Sequence, residues 1–331
     1  MPTPVCLIVN PAAGGGRAGR AAPAVERALR GHGLTVRRVD TRDLPHAREL
    51  ALAAAGQGET VVALSGDGML GAIADVLRDS PDAILGALPG GRGNDLARVL
   101  GIPEDPVAAC ATIAKGVARA VDLGVVSPLD SAGAGHAFVG IASVGFDSDA
   151  NRIANEAPAW LGGLVYAYGA LRALASWQPA RFEIELDPPG ERHTVTGYSV
   201  GACNSKAYGG GMLAAPDALL DDGLLDVLLV EDVGKLGFLT GILPKVFSGE
   251  HVHHPGVHVH RAKEITISCE RPFAMYADGD PVGQLPVRVR ALPGAITMLT
   301  PEAQPARSPF AHAPAPTTAS TSPSGNPAKA G

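Results

Sequence analysis

The sequence predicts an α/β protein, with an N-terminal parallel sheet wrapped by helices and a second, mainly antiparallel β domain. Strand-like apolar runs alternate with helix-spaced segments as far as residue 125, Gly-rich turns follow several of those runs, and beyond Gly124 the pattern changes to short β-like stretches. Composition agrees. The chain of 331 residues is 46% hydrophobic but only 4% aromatic, which suits close Ala/Gly-rich packing of helices on a sheet.

Val5 to Val9 is continuously apolar, as a strand buried on both faces requires. A Gly-rich turn follows, then a helix with Val25 and Leu29 inward that stops at Gly31 or Gly33. Leu34, Val36 and Val39 form a second strand. Ala47, Leu50, Ala51 and Ala54 fall at helical spacing. Thr60 to Leu64 is a third strand. Leu70, Ile73, Ala74 and Leu77 make the next helix begin directly after Gly68. Ile84 to Leu88 is a fourth strand, and Asp95 opens another helix. This βαβαβαβ order implies parallel strands with helices on both faces.

Residues 126–300 read as the β-rich second domain, interrupted by helical stretches around Ala150–Trp177 and Gly234–Phe247. Ala295–Leu299 is a last strand that either sheet could take. Residues 301–331, rich in Pro, Ala, Ser and Thr, are expected to be disordered, because they offer little apolar surface to offset ordering entropy. The four scattered cysteines form no C-x-x-C pair and read as buried thiols in a reducing compartment. A net charge of −6 speaks against nucleic acid as a partner. Met1 to Asn10 lacks a basic leader, and no run approaches the ~20 apolar residues of a membrane span, so any membrane contact is expected to be peripheral.

Ser65-Gly66-Asp67-Gly68-Met69 carries the first chemical signal. Glycines there let the backbone approach a ligand, free N–H groups at a helix start attract anions, and the carboxylate can hold a cation or accept a proton. Alone, it is equally a tight turn. It is no P-loop, because no Gly-Lys-Ser/Thr follows. Two comparable turns, Asn10-Pro11-Ala12-Ala13-Gly14 and Pro89-Gly90-Gly91-Arg92-Gly93-Asn94-Asp95, follow the first and fourth strands. Parallel strands bring all three to one sheet edge, where doubly wound proteins bind ligands.

Those motifs resemble the diacylglycerol kinase catalytic-domain family, which includes bacterial lipid kinases, sphingosine kinases and ceramide kinases. Further matches are Val121–Gly124, Val144–Asp147, Asn204 with Tyr208–Met212, Ala215-Pro216, Asp221–Asp226 and Asp278-Gly279-Asp280. The resemblance implies a Rossmann-like first domain, phosphoryl transfer from ATP to a lipid hydroxyl with Mg²⁺, and a cytoplasmic enzyme of lipid metabolism at the membrane surface. It leaves a homodimer open. Carried over, it implies an ATP site of Asn10, Pro11, Ala12, Ala13, Gly14, Thr41, Ser65, Gly66, Asp67, Gly68, Met69, Leu70 and Gly71, with Arg92, Asn94 and Asp95.

By the same resemblance Asp67, Asp95 and Asp122 form an acidic cluster near the phosphates. A structural Mg²⁺ site falls on Leu219, Asp222 and Leu224, although Asp222-Gly223 also reads as a hairpin turn. The resemblance makes Asp280 first choice as general base, in place of the Glu common in bacterial members, and Asp67 second. Two departures stand out: Met69 and Arg92 replace threonines common in the family, and Arg92 brings five donors and a fixed charge to a phosphate-binding turn. The histidines at 251, 253, 254, 258 and 260 alternate with Val252, Val257 and Val259 and read as strand, with no Cys or acidic partner that completes a catalytic metal set. Leu236, Leu239, Ile242, Leu243 and Val246 read as one apolar helix face, in the core or at the lip of a lipid cleft. The other readings are an NAD kinase-like phosphotransferase and a non-catalytic nucleotide-binding regulator. The second-domain motifs disfavour the first, and the retained aspartates disfavour the second.

Overall fold

The computed structural model describes residues 4–130, 135–156, 165–187 and 190–312. Its first half runs β1 (Pro4–Val9), α1 (Ala13–Gly31), β2 (Thr35–Asp40), α2 (Leu44–Gly56), β3 (Thr60–Ser65), α3 (Asp67–Leu77), β4 (Ile84–Pro89), α4 (Asp95–Val99) and α5 (Pro106–Lys115). Strands β2, β1, β3 and β4 are parallel neighbours in that order. All six residues of β3 are buried, as helices on both faces demand. Helix α1 becomes regular only after Gly14, Gly15 and Gly16, which all have positive φ. Asp43 and Asp105 accept N–H bonds at the starts of α2 and α5, each with a proline in the first turn.

The second half contains β5 (Val117–Pro128), β6 (His136–Phe138), β7 (Ile141–Gly145), α6 (Phe146–Glu156), α7 (Val165–Ser176), β8 (Ala180–Asp187), β9 (Glu191–Cys203), β10 (Ala207–Tyr208) and β11 (Met212–Leu213). There follow β12 (Leu225–Glu231), α8 (Gly234–Gly237), β13 (Val257–Ala262), β14 (Glu264–Cys269), β15 (Ala274–Ala277), β16 (Asp280–Gln284) and β17 (Val287–Thr300). Long β9 is the hub, pairing antiparallel with β7, β8 and β12. The last strand joins the parallel and antiparallel halves into one continuous 15-stranded sheet: β17 runs parallel to β4 at Thr297–Met298 and antiparallel to β14 and β5. Its register slips between Leu292 and Ile296, so Pro293 and Gly294 bulge toward Asp122.

Three expectations need correction. The expected disorder of the tail fails for residues 301–312. Phe310 is buried under the Arg119 guanidinium, 4.6 Å from the ring centroid. The backbone N–H groups of Ala311 and His312 donate to Asp221, and Pro309 O accepts the Leu220 N–H at 2.8 Å. The remainder of the tail lies outside the described residues, as do 157–164 of the expected helical stretch. Secondly, Gly234–Phe247 is no uniform amphipathic helix. One α turn passes into a wide π turn over Phe238–Ile242 and a 3₁₀ turn over Leu243–Phe247 containing Pro244. Phe238, Ile242 and Val246 turn inward, leaving Leu236 and Leu239 exposed. Thirdly, the histidine run is not all strand, because Glu250–His253 is a 3₁₀ turn that buries His251.

Candidate active site

The three Gly-rich turns meet through backbone contact. A Cβ on Gly91 would overlap the Gly66 Cα, and one on Gly14 would lie 2.5 Å from Gly90 O, so only glycine lets these turns touch. Arg17 Nη2 ties α1 to the third turn by donating to Gly91 O at 2.6 Å. Asn94 sits at φ 52° and closes that turn, accepting the Gly91 N–H at 2.7 Å and donating Nδ2 to Gly91 O. An asparagine tolerates this left-handed backbone because its short side chain bonds locally.

Above Gly93 the carboxylates of Asp67 and Asp95 converge. A Cβ placed there would be 3.1 Å from Asp67 Oδ2 and 2.9 Å from Asp95 Oδ2. Asp67 Oδ1 accepts the Leu96 N–H at the start of α4. Asp95 is buried, accepts the Gly210 N–H at 2.8 Å and pairs with Arg98. Burial raises its pKa and neighbouring Asp67 adds to the rise, while the Gly210 N–H opposes it. Asp280, exposed at the start of β16, turns Oδ2 toward Gly68, where an added Cβ would lie 3.6 Å away.

A cavity of about 790 Å³ opens from these turns. Gly14, Gly15, Asp67, Gly71, Arg92 and Asp95 line one end. Phe146, Leu228, Val230, Phe238, Ile242 and Val246 make the apolar walls of the other. The walls are backed by aromatic packing, with Phe146 and Phe238 centroids 4.8 Å apart and Tyr198 stacked on Phe238 at 4.3 Å.

Several residues the sequence singled out stand elsewhere. Met69 is packed in the first core and does not line the cavity, because its place on α3 faces the sheet. The Thr41 hydroxyl donates to Asp43 O, and Asn10 Oδ1 accepts the Ala12 N–H, so both side chains stabilise their own turns. Pro11 and Ala12 are exposed, Ala13 is half-buried, and Ser65 lies under the second turn. Asp122 does not join Asp67 and Asp95. Its carboxylate accepts the N–H groups of Gly223 and Gly294, both at 2.7 Å, and its charged neighbours are Asp221 and Asp222. It thus belongs with Leu219, Asp222 and Leu224, in whose loop Asp222 Oδ1 accepts the Leu224 N–H.

Two features escaped sequence reasoning. Asp278 lines the cavity at φ 48° and accepts three N–H groups, from Val139, Gly140 and Ile141. Asp147 lies in the cavity wall, hydrogen-bonded to Ser199 and Tyr208, and burial pushes its carboxyl up to about 6. An Asp before Gly hints at the first. The second closes the matched segment Val144–Asp147, but nothing local gives it a role, because its partners Ser199 and Tyr208 come from other strands.

A pair of carboxylates among glycine turns opens directly onto an apolar pocket, an arrangement that suits phosphoryl transfer to an apolar acceptor. Residues 4–126 match the model of the diacylglycerol kinase catalytic domain, and residues 140–300 that of the YegS C-terminal NAD kinase beta sandwich-like domain. A diacylglycerol kinase of Mycobacterium tuberculosis (strain CDC 1551 / Oshkosh) is 33% identical over 300 residues, covering 90% of this chain and 95% of the relative. A protein of Pseudomonas aeruginosa (strain UCBPP-PA14) named "Probable lipid kinase YegS-like" is 31% identical over 91% of this chain and 95% of its own. The chain belongs to this family of diacylglycerol kinases and YegS-like lipid kinases, and its phosphoryl donor is ATP. A solved diacylglycerol kinase structure from Bacillus anthracis str. Sterne shares the fold, with a TM-score of 0.70 and 22% identity over 89% of this chain and 96% of that one.

Proposed function

We propose that the protein transfers the γ-phosphate of ATP to the hydroxyl of a diacylglycerol-like or sphingoid lipid at a membrane surface. The carrying observation is the single cavity that joins Asp67 and Arg92 to walls of Phe146, Phe238 and Ile242. It supports a reading in which residues up to about 125 hold ATP and those from 126 to 300 hold the lipid. A soluble dinucleotide such as NAD would gain little from these apolar walls.

The glycine turns offer backbone N–H groups to the phosphates, and Arg92 adds a charged donor at the same end. Asp67 and Asp95 suit Mg²⁺, since two carboxylates crowd one point and the burial of Asp95 makes their repulsion costly. When bound there, Mg²⁺ would neutralise phosphate charge. Asp280, facing the α3 start beside Asp67, takes the proton from the attacking lipid hydroxyl. The loop of Leu219, Asp222 and Leu224 offers oxygen donors beside Asp122, a donor set that suits a hard structural cation.

No helix among the described residues is long and apolar enough to cross a membrane. Leu236 and Phe247 are 73% and 60% exposed, and Lys235 and Lys245 lie beside them. That combination supports peripheral contact with an anionic surface at the cavity's apolar end. The test is transfer of γ-labelled phosphate, with Mg²⁺, to vesicles each doped with one candidate lipid. Label should enter at least one lipid with wild type and none with Asp67→Asn. Label in NAD but in no lipid would overturn the proposal.

A further inference from the structure

The histidine run gains its partners only in three dimensions. Strand β13 pairs along its length with β12. Its end is nevertheless delivered to the end of β8 and the start of β9, because Glu264 opens β14 opposite Asp187 while Leu186 pairs with Glu191. His260, just before that crossing, therefore meets the beginning of β9. The rings of His193 and His260 lie 4.3 Å apart, tilted by 42°. Glu191 and His193, two residues apart on β9, share one face of the strand. Glu191 Oε2 stands 3.4 Å from His193 Nε2, a buried atom with no hydrogen-bond partner. One ligand atom from each of Glu191, His193 and His260 lies within 4.8 Å of the other two.

We propose that Glu191, His193 and His260 bind a divalent transition ion of the zinc class, which cross-links the start of β9 to the end of β13. Two imidazoles and one carboxylate favour borderline ions such as Zn²⁺, Co²⁺ and Ni²⁺ over Mg²⁺, which prefers oxygen. With metal–ligand bonds of ~2.0–2.2 Å, tetrahedral ligand atoms stand roughly 3.4 Å apart. The Glu191–His193 pair already has that spacing. Rotation of exposed Glu191 and half-buried His260 by about 1 Å closes the rest, and water completes the shell. None of the three residues lines the catalytic cavity, so this site is separate from the Mg²⁺ chemistry proposed above. Its occupant joins two strands that are not hydrogen-bonded to each other, and its function is to stiffen the β-rich half.

The other reading of the same contacts is a surface ion pair beside two tilted imidazoles in contact, and metal titration separates the two. The chelator-treated full-length protein is titrated with Zn²⁺ alone by calorimetry and with Co²⁺ alone by visible absorption. The expected result is one ion per chain, a visible Co²⁺ band of low-coordinate type that excess Mg²⁺ leaves in place, and a higher Tm with Zn²⁺. His193→Ala and His260→Ala should each weaken binding by at least the ~10–100-fold that loss of a mere supporting partner costs. His258→Ala, which removes the imidazole paired with Glu231, should bind within about threefold of wild type. His193→Asn serves where His193→Ala folds poorly, with lipid kinase activity confirming the fold. Absence of a stoichiometric ion, or equal affinity in wild type and the His193→Ala/His260→Ala double variant, would overturn the proposal.

Discussion

Asp278 Oδ1 accepts the backbone N–H of Gly140 at 2.9 Å, and this contact gives the two aspartates of the Asp278-Gly279-Asp280 turn different tasks. With Val139 and Ile141 also donating to it, Asp278 is committed to holding the start of β7 against the cavity. Asp280 bears no such load and faces Gly68. Asp280→Asn should therefore lower kcat by ~10²–10⁴ with little change in the KM for ATP. Asp280→Glu, longer by one methylene, should retain measurable activity. The check is the pH–rate profile at saturating ATP and Mg²⁺. An Asp280→Asn enzyme with the wild-type acidic limb and kcat within about tenfold would move the base to Asp67.

Asp278 also predicts a pH dependence of stability. Burial pushes its carboxyl from the ordinary 3.8 up to about 7, against the three N–H groups that pull it down. A folded pKa above the unfolded one means the folded state holds the extra proton. The stabilisation is complete below about pH 4 and is lost as pH rises through 7. Urea midpoints of wild type should fall between pH 5.5 and 8, and Asp278→Asn should flatten that fall. Parallel curves would mean that the N–H donors keep Asp278 ionised throughout.

The parallel sheet and its converging turns were legible because their signals are local. An apolar run such as Val61–Leu64, a glycine turn and a helix-spaced Leu70, Ile73, Ala74, Leu77 lie within 20 residues of each other. Met69 shows the limit, since being next to a functional aspartate says nothing about which way a helix turns its side chain. Asp122 was misgrouped for a related reason. Its two donors, Gly223 and Gly294, come from 101 and 172 residues away, and a β17 bulge aims the second. The partners of His260 were not legible because Glu191 and His193 arrive from a different hairpin.

The tail was misread on composition, and its truncation distinguishes the two views. Phe310 is buried, Arg119 covers it, and Asp221 caps the two following N–H groups. Ending the chain at Thr300 should lower stability by ~2–4 kcal/mol, the scale of losing a buried aromatic with its bonds. Phe310→Ala should account for much of that loss. Ending the chain at His312 should leave the Tm within about 1 °C of wild type, since every contact described for the tail is kept. Equal melting of the Thr300 and His312 truncations would refute the docking.

Arg92 is exposed at the glycine end of the cavity, with no ion-pair or hydrogen-bond partner among the described residues. A guanidinium held free beside a phosphate site predicts a direct role. Arg92→Ala should raise the KM for ATP by the equivalent of ~1.5–3 kcal/mol, roughly 10–100-fold. Arg92→Thr should recover part of the loss through its hydroxyl. Wild-type rates for Arg92→Ala at limiting ATP would leave the phosphates to the backbone N–H groups alone.

The closest backbone approach in the site makes the last prediction. A Cβ on Gly91 would overlap the Gly66 Cα and stand 3.0 Å from Gly66 N and 3.1 Å from Asn94 Oδ1. Two of those atoms are backbone, so no side-chain rotation relieves the clash. The second and third turns must part, loosening the Arg17–Gly91 bond and moving Asp67 away from Asp95. Gly91→Ala should cost ~1–3 kcal/mol of stability as an overpacked contact. It should cost proportionally more in kcat/KM for ATP, because displacement of ~1 Å at a reacting site costs about 100-fold. Gly56→Ala is the matched control: it adds the same methyl to α2, where nothing lies within 4 Å. That change should be neutral or stabilising by up to ~1 kcal/mol. Thermal melts and initial rates on the two variants decide the matter. If Gly91→Ala melts and turns over like Gly56→Ala, the turns do not touch as described, and the convergence that positions Asp67 fails with them.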